Sequence, residues 1–239
     1  MSIILQIDTA IDKATISVSK NGELLHELFN THQKEHGSFV HPAIENLLKI
    51  TGLRVRDVEA IAVSAGPGSY TGLRVGMASA KGLSFALQKP LIAINTLEIL
   101  ALGAMMQMEF EQQETPTLFC PMIDARRMEV FTALYGYSIN TMLPPFNSIN
   151  TILQPCAMIL NQNSFANRLL KNEIYFFGNG ANKWKTIFSN LNAKFLDVTN
   201  NTLAMSNLSF QKFNNKEFTN NKNAEPLYVK EFHDDTLKR

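Results

Sequence analysis

The first 106 residues constrain the fold most, because strand and helix patterns follow one another there in an order that few architectures satisfy. Ile3–Ile7 is a short apolar run that ends in Asp8-Thr9-Ala10. Ala14–Ser19 alternates, and Asn21-Gly22 separates it from Glu23–Phe29. That dipeptide supplies the two positive-φ residues of a tight hairpin turn. A helical stretch over Phe39–Ile50 is expected to stop at Gly52, with Pro42 either in its first turn or kinking it. Val58–Val63 reads as a strand, followed by a glycine-rich loop and a helix over Leu73–Leu87 that ends near Pro90. Leu91–Ile94 and Thr96–Met106 give a further strand and helix. Antiparallel strands that feed parallel βα units predict an α/β sandwich with a mixed sheet.

A ribonuclease-H-like core has this order. The pattern then restarts. Leu118–Ile123 ends in Asp124-Ala125-Arg126-Arg127, and Met128–Tyr135 follows as a strand, repeating what residues 3–19 do. The polar segment 109–116 suits a boundary. We therefore expect a first lobe over 1–108, completed by a C-terminal segment near 203–230, and a smaller lobe over 109–202. Nineteen of the 23 asparagines fall between 140 and 223. Asn favours turns and caps, so this region is expected to be irregular with long loops. Its exceptions are a strand at Ile174–Phe177 before Gly178-Asn179-Gly180 and a helix near Leu203–Phe213. Ala224–Val229 reads as a short extended tail.

Composition removes several classes of function. A chain of 239 residues buries roughly 70–75% of its unfolded surface and needs no disulfide or metal for its core. Net charge is +1, which excludes a strongly basic nucleic-acid coat and a polybasic membrane anchor. Cys120 and Cys156 form no metal motif or disulfide framework, and a reducing compartment is the simplest reading. The N-terminus reads as a buried strand, not a signal peptide. The stretch Leu83–Met106 is broken by Lys89, Pro90, Asn95 and Glu98, so no membrane span is expected. A soluble, cytoplasmic chain follows.

The loop Gly66-Pro67-Gly68-Ser69-Tyr70-Thr71-Gly72-Leu73-Arg74 is the most informative stretch. Five of the chain's 12 glycines lie between 66 and 82. The loop fits neither a P-loop, nor G-x-G-x-x-G, nor G-x-S-x-G. What remains is a glycine turn entering a helix N-terminus, a place for an anion or a partner's backbone, or a purely structural turn. Asp8 and Thr9 at a strand end are candidates to hold a cation and face phosphates, or Asp8 caps a turn. Asp124 and Arg126 are candidates to meet a phosphate, or form a charged turn. Gly72, Gly76, Ala80 and Ser84 make a small-residue stripe, read either as packing on the chain's own sheet or as a helix–helix subunit contact. Arg74 and Lys81 suit an interface rim. His32 and His36 are spaced like a metal pair, with Glu35 and His41 nearby, but a zinc site needs a third ligand on a rigid helix, and this segment follows a strand and is interrupted by Gly37. They read as surface histidines at a helix entry. Cys120, in an apolar strand, reads as buried and unreactive.

Together, Ile7-Asp8-Thr9-Ala10, Gly66 to Gly76, Ile123-Asp-Ala-Arg126 with Glu129-Val130, and the tail Glu225-Pro-Leu-Tyr228 resemble the TsaB (YeaZ) family. The match spans residues 1 to about 135 and the tail. The resemblance implies an actin/Hsp70-like two-lobed fold, with a mixed sheet in each lobe and the second lobe reduced. It implies a non-catalytic partner of the metal-bearing paralogue TsaD. That paralogue transfers a threonylcarbamoyl group to the adenosine beside a tRNA anticodon, and the ATPase TsaE joins the complex. Where TsaD carries Asn-His-x-x-x-His, this chain reads Asn95-Thr-Leu-Glu-Ile-Leu, so neither histidine is present and no metal is expected. The family's contact surface is its first two helices, which map here onto His36, Val40, Ile44 and Leu47 and onto Gly72, Arg74, Gly76, Met77, Ala80 and Lys81. The same surface pairs the chain with itself as a homodimer when alone. No cofactor of its own is implied. ATP or ADP is either weakly held by the chain or lodged at the interface with TsaD, and the candidate phosphate-facing residues are Asp8, Thr9, Gly66, Gly68, Ser69, Thr71, Asp124 and Arg126. The contact with tRNA is through the complex.

Two other readings compete. One is an ATP-dependent phosphotransferase or ATPase of the actin/Hsp70/sugar-kinase class, with Asp8, the loop at 66–72 and Gly178-Asn179-Gly180 holding a nucleotide. No second-lobe Asp is placed as its general base. The other is a peptidase, which needs a nucleophile–base or metal pair that the sequence does not supply.

Overall fold

Two five-stranded sheets carry the chain. The structure, a computed structural model, describes residues 2–32, 35–108, 117–137, 149–199 and 201–230. The first sheet has the strand order β3-β2-β1-β4-β5. Here β1 is Ile3–Asp8, β2 Ala14–Lys20, β3 Glu23–Asn30, β4 Ala60–Gly66 and β5 Leu91–Asn95. The first three strands are antiparallel, and β4 and β5 run parallel to β1. Asn21 and Gly22 take φ of 52° and 87° at the predicted hairpin.

Strand alternation sends successive side chains to opposite faces. Leu5, Ile7, Ile61 and Val63 pack under α1 (His36–Thr51) and α2 (Tyr70–Leu87). Ile4, Ala60, Ala62 and Ile94 pack under α3 (Thr96–Gln107) and α6 (Asn201–Asn214). Gly52 ends α1 in the left-handed conformation, as predicted. Pro42 stands inside α1, neither in its first turn nor at its end. α2 starts three residues before the predicted Leu73, because the Ser69 side chain accepts the Gly72 amide and caps the helix one turn earlier.

The second sheet has the order β10-β9-β6-β7-β8. Its strands are β6 (Thr117–Asp124), β7 (Glu129–Tyr137), β8 (Asn150–Ile159), β9 (Ile174–Phe177) and β10 (Ala193–Phe195). β6, β7 and β8 are antiparallel, while β9 and β10 run parallel to β6. In chain order this is the same topology as the first sheet, so the repeat read from two strand-Asp-turn-strand segments extends to five strands. The region expected to be irregular therefore holds a ten-residue strand, β8, which pairs along β7. Two short helices, α4 (Ala166–Leu169) and α5 (Ala181–Lys185), complete this half. The segment 224–229 is not a strand, and it lies against the end of β4, where Leu227 N donates to Ala65 O.

α3 joins the two halves. Nine of its 12 residues are buried, on every side of the helix. Ile99 and Leu102 face the first sheet, whereas Leu97, Leu100 and Ala101 pack with Phe119, Tyr135 and Phe177 of the second.

Candidate functional site

The segments that carry the sequence motifs meet around the C-terminal end of β1. Thr9 Oγ1 donates to Gly72 O at 2.7 Å, and Ser69 N donates to Ala10 O at 2.7 Å. A Cβ at Gly68, Gly72 or Gly76 would fall inside contact with Ala10 O, Thr9 O or Thr9 Oγ1 respectively. The glycines thus allow α2 and its loop to lie directly on the Asp8-Thr9-Ala10 turn. The tail closes the other side. Leu227 N donates to Ala65 O at 2.6 Å, and Lys81 Nζ to Ala224 O at 2.8 Å. Arg74 Nε donates to Tyr228 OH at 3.2 Å, with its guanidinium 4.1 Å over the Tyr70 ring.

This packing corrects the placement of the candidate contact residues. Gly72, Gly76, Met77 and Ala80 are buried on the sheet side of α2, so the small stripe serves intrachain packing. His36, Val40, Ile44 and Leu47 are buried on the sheet side of α1. A helix face that lies on its own sheet is not presented to another protein. His36 is not a surface histidine either. It is 2% exposed, and its Nε2 lies 3.2 Å from Asp12 O. The outward face of α2 instead carries Arg74, Ala78, Gly82 and Phe85, with Lys81 half-buried at its edge. Phe85 is 81% exposed, and a Cβ at Gly82 would meet nothing within 4 Å. The spacing 74, 78, 82, 85 is nearly as regular as that of the small stripe, so spacing alone does not tell the two faces apart.

The candidate phosphate-facing residues divide. Gly66 N donates to Thr96 Oγ1 at 3.1 Å, Ser69 N to Ala10 O and Gly72 N to Ser69 Oγ. These amides are committed to partners in the chain and are not presented to an anion, and Gly68 is pressed against Ala10. Thr9 is fully buried, with its hydroxyl spent on Gly72. Thr71 is exposed on the first turn of α2. Asp8 Oδ1 accepts Ala10 N at 3.1 Å, so Asp8 does cap its turn. Burial pushes the Asp8 carboxyl above the ordinary carboxylate range, against the neighbouring Ser64 hydroxyl and Ala10 amide.

Asp124 takes Lys183 as its cation, at 2.8 Å, and its Oδ1 accepts Arg126 N. Burial works against its charge, but Lys183 and that amide hold its carboxyl below the usual range. Lys183 Nζ also donates to the carbonyls of Arg127 and Glu129 and so closes the 124–129 turn. Asp124 and Arg126 thus form a braced turn, not a pair of groups spread for a phosphate. Sequence reasoning missed Lys183, which no spacing ties to Asp124. Asn179, read in the sequence only as part of the Gly178-Asn179-Gly180 turn, is a bridge: its Nδ2 donates to Asp12 Oδ2 and its Oδ1 accepts Asp124 N, both at 2.9 Å. That side chain spans the two halves across a cavity of about 500 Å³ lined by Ile11, Leu100, Gly178 and Lys185 among others. Cys120 is buried, and burial pushes its thiol up to about 12. Among the described residues no group of three or more His, Cys, Asp or Glu is placed to hold a metal. No helix among them is long and apolar enough to cross a membrane.

Two repeats of one five-strand plan, joined through a buried helix and clamped by a glycine loop on the first strand's end, define a two-lobed α/β protein with a mixed sheet in each lobe. The chain belongs to the family whose model, described as "TsaD: tRNA N6-adenosine threonylcarbamoyltransferase", matches residues 24–226, and within it to the TsaB (YeaZ) group. A protein of Bacillus subtilis (strain 168) named "tRNA threonylcarbamoyladenosine biosynthesis protein TsaB" is 34% identical over 134 residues, covering 56% of this chain and 55% of its own. Its namesake in Escherichia coli (strain K12) is 33% identical over 132 residues, covering 55% and 54%. The chain spans about half the length of the curated relatives it matches. Two solved structures share the fold at 21% identity. One is YeaZ from Pseudomonas aeruginosa (TM-score 0.74, covering 95% of this chain and 100% of its own). The other is an uncharacterized protein described as similar to peptidase YEAZ, from Pseudomonas aeruginosa (TM-score 0.77, covering 96% and 100%).

Proposed function

We propose that this chain is a non-catalytic partner subunit in the biosynthesis of threonylcarbamoyladenosine in tRNA. It docks on the metal-bearing paralogue TsaD, in an assembly with the ATPase TsaE, and meets tRNA through the complex. The names of its relatives support the pathway. One observation carries the non-catalytic role. The two positions that hold the paralogue's metal-binding histidines are Thr96 and Leu100, and both are committed to structure. The Thr96 hydroxyl accepts Gly66 N, and Leu100 is buried among the residues that join the two sheets. A metal there has no ligand and no room. The chemistry that would hold and polarise an acyl adenylate is then the partner's, and no cofactor is required by this chain. Nucleotide, where present, sits at the interface with TsaD. Residues 1–108 with 203–230 form the docking lobe, and 109–202 the other.

The docking face is the outward side of α1 and α2. Ala78 and Gly82 let a partner's backbone approach closely, Phe85 supplies the apolar anchor, and Arg74 and His41 stand at its rim. The same face pairs two copies when the partner is absent.

Light scattering on a sizing column tests this, with the chain alone and mixed with TsaD of the same cell. A homodimer that converts to a heterodimer is the expected result. Phe85→Asp should weaken the complex by about 30-fold or more, the loss of one anchor residue. It should leave the circular dichroism unchanged, because Phe85 touches little of its own chain. Leu191→Asp, at a residue 92% exposed on the other half, should change neither. No complex on mixing, or nucleotide turnover by the chain alone, would overturn the reading.

A further inference from the structure

A smaller cavity of about 190 Å³ opens where the start of α6 lies over the first sheet, and it shares Ile11, Val198 and Asn201 with the larger one. Its floor is Asp8, Thr15 and Ser17, and α6 contributes Asn201 and Thr202. Three of the hydroxyl protons around it are already used outside it. Ser17 Oγ donates to Gln6 Oε1, Thr202 Oγ1 to Glu27 Oε2, and Thr199 Oγ1 to Gln107 Oε1. A hydroxyl that has given its proton elsewhere offers only lone pairs. Asp8, 8% exposed, adds a carboxylate whose Oδ1 takes only a backbone amide. The side-chain oxygen of Asn201 is buried without a partner. Ile11, Val198 and Met205 give the cavity an apolar side. Lys13 stands at the mouth, its Nζ 4.2 Å from the centre of the Phe29 ring.

Walls of this kind ask for a ligand that brings donors and positive charge. A buried carboxylate is costly, and burial pushes the Asp8 carboxyl above its ordinary range although Ser64, Ala10 N and the Lys13 charge pull the other way. A phosphate set here would face a carboxylate and lone pairs. The volume also falls short of the ~300–1,000 Å³ that larger ligands occupy.

We propose that this cavity binds a small primary ammonium compound of amino-acid size. The ammonium group lies on Asp8, its methylene body against Ile11, Val198 and Met205, and a carboxylate, where the compound has one, reaches Lys13. The site is independent of the docking face, since Asp8 and α6 lie on the opposite side of the sheet from α2.

Isothermal titration of the full chain, in potassium chloride so that a monovalent metal competes, tests this with ethanolamine, L-serine, inorganic phosphate and magnesium-ADP. Both amines should bind, L-serine more tightly through Lys13. Asp8→Asn should weaken both by about tenfold or more. Lys13→Met should bring L-serine down to the level of ethanolamine and leave ethanolamine unchanged. Val198→Trp, which fills the cavity without touching the carboxylate, should abolish both and keeps the test open if Asp8→Asn destabilises the chain. The proposal is overturned if neither amine binds, if binding survives both Asp8→Asn and Val198→Trp, or if phosphate or magnesium-ADP binds in their place.

Discussion

Gly72→Val is expected to cost about 3 kcal/mol or more of folding stability, at the upper end for a single substitution. Its Cβ would land on the carbonyl oxygen of Thr9, which is backbone and cannot swing aside. Thr9 is fixed from both directions. Its hydroxyl donates to Gly72 O, and the next carbonyl, of Ala10, accepts Ser69 N. Relief would require α2 to lift from the sheet. That would open the contacts that Met77 and Ala80 make in the core formed with Leu5, Ile7 and Val63, and overpacking in a tight core is costly because neighbours cannot yield independently. The control lies three turns away on the same helix. At Gly82 a Cβ meets nothing within 4 Å, so Gly82→Ala should stabilise the chain by about 0.5–1 kcal/mol through helix propensity alone. Urea unfolding of both variants checks the pair. Equal effects would mean that the glycines serve helix flexibility and not close approach.

That contrast also shows what the sequence made legible. Local chemistry was readable where one residue type decides one conformation. Asn21-Gly22 turned as a hairpin, Gly52 ended α1, and Ile174–Phe177 formed a strand at its predicted bounds. The strand-Asp-turn-strand echo at 118–135 pointed to a repeat, and the second sheet has the topology of the first. Direction was not readable. The stripe at 72, 76 and 80 gives a smooth face but not what lies against it, and only the sheet beneath α2 settles that. β8 was missed because it is an edge strand with no run of fully buried residues and a proline, Pro155, inside it. Edge strands tolerate such residues because one side of their backbone has no neighbour to satisfy. Lys183 lies 59 residues from Asp124, and a pairing over that distance leaves no local pattern.

Trp184→Ala should cost about 3–5 kcal/mol and should act on the second half first. Trp184 is fully buried. Its ring stacks on Phe188 at 4.3 Å, meets the edge of Phe176 at 4.6 Å and lies 5.6 Å from Phe165. Its Nε1 donates to Asn161 O at 3.2 Å, so truncation also strips a carbonyl of its donor. Trp184→Phe keeps the ring contacts and should lose much less. The cluster around Trp184 draws its buried residues from the second half alone. α3 belongs to two other clusters, one shared with the first sheet and one with the second. Hydrogen exchange on the variant should therefore show early loss of protection in β6 and β9, with β1 and β4 still protected, as local opening free energies follow local packing. Simultaneous loss in both sheets would mean that α3 couples the halves into one cooperative unit. In that case the duplicated plan, though built twice, folds once, and the docking face proposed on α2 depends on the aromatic core of the opposite half.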